Sequence, residues 1–126
     1  MNFLLVSIVW TVLVIIASLL PGNALPSSGI AIPHFDKLVH FVMYAGIIFF
    51  WLKYFYSKST NKQTIKTVLL MVLVGFLMGL IMEFMQHYFI KNRYFESLDL
   101  IANGFGCIFG GVIFFKLHNA THKEVA

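Results

Sequence analysis

Residues 68–82, VLLMVLVGFLMGLIM, run for fifteen positions without a polar side chain. Extended in both directions, the run becomes an apolar segment over residues 65–90, and three more lie at 3–20, 38–55 and 98–117. A helix needs about 20 apolar residues to cross the hydrocarbon of a bilayer. Backbone amides exposed to lipid must bond within their own segment, so each run is expected to be a helix and not an open strand. The expected fold is all-α, a polytopic transmembrane four-helix bundle forming a single domain over residues 1–126. Composition agrees. The chain is 60% hydrophobic and 11% charged, whereas a soluble domain is about one quarter charged.

The net charge of +4 does not point to nucleic acid, because the bases lie in short segments between apolar runs instead of forming a stripe. One cysteine, Cys107, excludes an intrachain disulfide or a cysteine-based metal cluster. The first run has no Lys or Arg before it and is longer than the core of a cleaved leader. It reads as a retained span, although GNA at 22–24 resembles a cleavage site. Lysine placement sets orientation. Lys53, Lys58, Lys62, Lys66, Lys116 and Lys123 fall on one side of four spans, and Lys37, Lys91 and Arg93 on the other. Both termini are therefore expected to be cytoplasmic.

The polar residues of the spans gather at one depth, on the outward side. Asp36, Lys37, His40 and Tyr44 open the second span, and the four-residue steps from Asp36 to His40 to Tyr44 put those three on one helical face. Glu83, Gln86 and His87 end the third span, Arg93 follows in the loop, and Asp99 and Asn103 begin the fourth. A charge in hydrocarbon costs about 2.5–3.5 kcal/mol, so such groups face the bundle interior and pair. The expected pairs join Glu83 to His40 or Arg93, and Asp99 to Arg93 or Lys37. Ser97 is placed as the N-cap of the fourth helix, and Trp51 as an interfacial anchor. Gly75/Gly79 and Gly106/Gly110 are small-xxx-small patterns that allow close helix approach. They point to contact between the third and fourth spans, with a homodimer through either motif as the alternative.

DKLVHFVMYAGI followed by EFMQHYFIKNRYFESLDLIANGFGCIFG resembles the VanZ-like family of small bacterial membrane proteins. The family pattern falls on Asp36, Lys37, His40, Tyr44, Glu83, Gln86, Arg93, Asp99, Asn103, Gly106 and Gly110, and the resemblance covers residues 33–112. One departure is KNRYFESLD, where many members have Gly or Pro just before the arginine. The resemblance implies a multi-pass protein of the bacterial inner membrane and an association with low-level resistance to the glycopeptide teicoplanin.

Three functional classes are open. The first is a binding site for a lipid head group or an anionic lipid-linked envelope precursor, formed by Asp36, Lys37, His40, Tyr44, Glu83, Gln86, Arg93, Asp99 and Asn103. Arg93 is suited to bidentate phosphate contact. The second is an intramembrane hydrolase or transferase with His40 and Glu83 as acid and base, although neither G-x-S-x-G nor H-E-x-x-H is present. The third is a polar network that fixes helix register. No cofactor is called for. Zinc on His40, Glu83, His87 or Asp99 is chemically allowed, but ligands from separate helices leave no spacing to read, and no metal is expected.

A reporter that is active only in the cytoplasm, fused after Ala126, is expected to be active. An externally active fusion would overturn the lysine count and the outward placement of the polar residues together.

Overall fold

Pro21 decides where the first helix stops, because a residue before proline is disfavoured in the α conformation. In the computed structural model, which describes residues 1–21, 34–59 and 64–125, α1 covers Phe3–Ser18. Asn2 caps its start, accepting from the Leu5 amide at 3.3 Å, and the Leu19 amide closes its end on the Ile15 and Ile16 carbonyls. Sixteen residues make a helix of about 24 Å, shorter than the span expected over 3–20 and than a hydrocarbon core of about 30 Å. The other three helices are α2 (Phe35–Lys58), α3 (Thr64–Phe89) and α4 (Ser97–Val125). Residues Phe35–Lys58, Thr64–Phe89 and Ser97–Thr121 are long and apolar enough to cross a membrane. The GNA stretch and Lys62 lie outside the described residues.

Boundaries differ from expectation where local chemistry is decisive. α2 starts three residues before Leu38, so Asp36 and Lys37 sit in its first turn, behind His34 in the left-handed region (φ 61°). α4 runs past Leu117 into the tail, since no Gly or Pro follows Gly111 to stop it. Ser97 is the first residue of α4 and not its cap. The carbonyl of Glu96 takes that part, accepting from Asp99 N at 3.1 Å and Leu100 N at 3.3 Å. In the α3–α4 connection Asn92 adopts φ 61°. Asparagine tolerates this region better than most residues.

The hub is α2, which packs against all three other helices, with its longest interface on α4. This corrects the expectation that α3 and α4 form the closest pair. A Cβ on Gly106 would overlap the Phe41 carbonyl, and one on Gly110 the Ala45 carbonyl. The α4 glycines therefore let α2 and α4 touch backbone to backbone. Gly75 faces Ile48 and Cys107, and Gly79 faces Asn103 and Tyr44. All four glycines are buried within the chain, so a dimer through either motif would have to displace an intrachain contact.

Two tryptophans tie α1 to α2. Trp10 Nε1 donates to the Met43 carbonyl at 2.9 Å, its indole lying where a Cβ on Gly46 would stand. Trp51 Nε1 donates to Thr11 Oγ1 at 2.9 Å. The core holds Val14, Tyr44, Ile48, Leu52, Cys107 and Phe114. The outer faces are apolar, with Leu69, Leu70, Leu73, Leu77 and Ile81 of α3 exposed in one band. A soluble monomer rarely shows so much contiguous apolar surface, whereas lipid covers it at no cost.

Gly106→Ala and Gly110→Ala should each lower stability by about 1–3 kcal/mol through overpacking against a backbone that cannot rotate away. Gly104→Ala should cost less, because it meets only the movable Phe76 ring at 3.2 Å. Reversible unfolding in mixed detergent measures all three, and equal losses would mean the glycine pair does not set the α2–α4 separation.

Candidate functional site

Four of the chain's five acidic residues, Asp36, Glu83, Glu96 and Asp99, come together where α1 ends, α2 begins, α3 ends and α4 begins. Lys37 is what allows three of them to do so. Its Nζ lies 2.6 Å from Asp36 Oδ2, 2.6 Å from Asp99 Oδ1, and against Glu96 Oε2. Carboxylates this close repel unless a cation lies between them, and a primary ammonium has three donors to share. The expected Asp99–Lys37 pair is thus formed, and Glu96, which spacing did not single out, completes it. Glu96 precedes a helix in a loop with no periodicity, so the only available signal was its position three residues before Asp99.

Deeper in the bundle, polar groups are buried and matched individually. His40 Nδ1 donates to Asn103 Oδ1 at 2.9 Å, and Nε2 lies 3.7 Å from Asp99 Oδ2. Gln86 Nε2 donates to the Ser18 carbonyl at 2.7 Å. That carbonyl ends α1 and has no partner within its own helix, so Gln86 fastens α1 to α3. Glu83 Oε2 accepts from the Glu96 amide at 3.4 Å, at the positive end of the α4 dipole.

Neither expected partner of Glu83 is realised as an ion pair: among the described residues it has no cation within bridging distance. The amide of Glu96 and the α4 terminus stand in that place. His87 turns outward, where Nδ1 accepts from Phe95 N at 3.3 Å, and does not join the cluster. Tyr44, one turn below His40, is 1% exposed, and its hydroxyl has no hydrogen-bond partner among the described residues.

Arg93 faces a cavity of about 490 Å³ that adjoins the cluster. Asp36, His40, Glu96 and Asp99 form its polar side, and Phe35, Val39, Met43 and Tyr94 its apolar wall. Arg93 is half-buried and makes no ion pair among the described residues. The nine residues singled out in the sequence thus divide by depth: Arg93, Asp36, His40 and Asp99 line the cavity, Lys37 sits within the acidic ring, and Glu83, Gln86, Asn103 and Tyr44 lie beneath.

This ordered set of polar residues on a helical membrane scaffold is accompanied by a family match over residues 3–118, to VanZ/LLP1. The chain belongs to that family. Searches of curated proteins and of solved structures each found no match. For this VanZ-family membrane protein the match takes in all of α1, α2 and α3 and most of α4, so the helix that contributes the Ser18 carbonyl falls inside the family domain.

Lys37→Met should destabilise the protein by about 3 kcal/mol or more, because removing one partner strands buried Asp99 without a counter-ion. Adding Asp99→Leu to that variant should recover part of the loss. Strictly additive losses in a double-mutant cycle would show that the two side chains are not coupled.

Proposed function

We propose that this VanZ-family protein binds the polar head group of a membrane amphiphile, of the lipid-linked envelope-precursor type, in the cavity beside Arg93. The observation that carries this reading is the two-sided lining of that cavity. A polar edge of Asp36, His40, Glu96, Asp99 and Arg93 stands against an apolar wall of Phe35, Val39, Met43 and Tyr94. A head group would meet the first and the start of an alkyl chain the second. Small-molecule sites generally combine an apolar lining with a few convergent polar groups. Arg93 has no internal partner among the described residues, and its planar fork fits a phosphate.

Family membership supports an envelope role and, by extension, a link to glycopeptide resistance. A second reading, an intramembrane hydrolase or transferase on the same substrate class, is favoured by His40. Its ring is oriented by Asn103 and lines the cavity, within reach of a bound substrate. Turnover of a labelled lipid-linked substrate would separate catalysis from binding.

Native mass spectrometry of the purified protein should show a bound phosphate-bearing amphiphile. Arg93→Ala should lose it, while Lys91→Ala, on the exposed neighbouring residue, should retain it. Equal occupancy in both variants, or a wild type carrying no amphiphile above the background of bulk lipid, would overturn the reading.

A further inference from the structure

The acidic end of the bundle carries more negative charge than its cations offset. Among the described residues there, Asp36, Glu83, Glu96 and Asp99 outnumber Lys37, Lys91 and Arg93, and Lys37 is already shared by three carboxylates. The surplus is concentrated where His40, Glu83 and Asp99 meet. All three are buried, at 7%, 1% and 6% exposure, and one ligating atom from each lies within 4.8 Å of the others. They come from α2, α3 and α4, one per helix.

The hydrogen bonds around these three atoms are those of an oriented ligand set. With Asn103 Oδ1 accepting from His40 Nδ1, Nε2 is the nitrogen that a metal ion would take. It stands 3.7 Å from Asp99 Oδ2. Asp99 Oδ1 is turned the other way and held by Lys37, and Glu83 Oε2 accepts from the Glu96 backbone. A histidine whose second nitrogen is fixed by an oxygen acceptor, beside one carboxylate on a backbone amide and another paired with an ammonium, is the usual outer arrangement of a metal site. A second observation lies directly below. The Tyr44 hydroxyl, one turn along α2 from His40, is buried with no hydrogen-bond partner among the described residues.

We infer that His40, Glu83 and Asp99 form a divalent transition-metal site, Zn²⁺ in the first instance, whose open position faces the Arg93 cavity. One imidazole and two carboxylates suit zinc and manganese. Ligand atoms on a tetrahedral ion stand about 3.3 Å apart, given bonds of about 2.0–2.1 Å. The 3.7 Å separation of His40 Nε2 and Asp99 Oδ2 is already close to that. Asp36, Glu96 and Asp99 also converge, but Lys37 fills the space between them and leaves no place for an ion. The inference deepens the head-group reading: a dication at the open position supplies the positive charge that an anionic phosphate needs in an acidic pocket.

The test uses full-length, tag-free protein in detergent, with Co²⁺ and Zn²⁺ as probes. Wild type should take up about one Co²⁺ per chain with visible d–d absorption, and Zn²⁺ should displace it. Asp99→Asn and Glu83→Gln, which keep side-chain size, should each weaken Co²⁺ binding by tenfold or more. Asn103→Leu should weaken it by about 10–100-fold, as loss of an orienting partner does. Should a variant fail to fold, wild type decides alone: a metal-dependent rise in melting temperature that a chelator reverses supports the site. No d–d absorption and no thermal shift would overturn it, leaving His40 and Asp99 as a simple ion pair. Metal uptake by protein that retains no amphiphile would remove the head-group reading and keep the site; a bound amphiphile without metal uptake would do the reverse.

Discussion

Lys37 stands between Asp36, Glu96 and Asp99, and without it the start of α2, the α3–α4 connection and the start of α4 would repel one another. In water such a contact would be worth little, because solvent screens it. At the end of a bundle surrounded by lipid, with Asp99 6% exposed, screening is weak and the ammonium has few competitors. The rest follows from that placement. Once the α4 terminus is drawn to α2, Asn103 lies beside His40, and one and two turns further on Gly106 and Gly110 meet the Phe41 and Ala45 carbonyls. Electrostatics sets the register, and the glycines let the two backbones close on it.

The polar network is arranged so that few of its members remain interchangeable. Gln86 serves α1 through the Ser18 carbonyl, Asn103 orients His40, and Glu83 serves the end of α4. Each link crosses between helices, so the four helix ends are held as a unit at the cavity. At the opposite end the ties are aromatic and apolar, through Tyr56, Phe114 and His118.

Much of this was legible in the sequence, for reasons that particular residues make plain. Helix positions followed from the apolar runs, and the shared depth of Asp36, His40, Glu83, Asp99 and Asn103 followed from where in each run they fall. The i, i+4 spacings on α2 and α4 gave the faces. Which helices meet was not legible, because a glycine pair announces close approach without naming the partner. Loop length suggested α3 and α4, whereas the partner of Gly106 and Gly110 is α2. Nor could spacing find Glu96, which lies in a loop, or show that Trp10 reaches the Met43 carbonyl 33 positions away. Tertiary hydrogen bonds of that range have no sequence period.

The sorting of charge along the bundle has an electrical consequence. Acids gather where α2 and α4 begin and α3 ends, while Lys53, Lys58, Lys66 and Lys116 lie towards the far ends of the same helices. The folded chain is therefore a dipole laid along the membrane normal. An energised membrane acts on each charge with about 2.3 kcal/mol per 100 mV for full transit. The two ends feel this field in the same rotational sense, so the potential reinforces the insertion with lysines on the negative side and opposes its inverse.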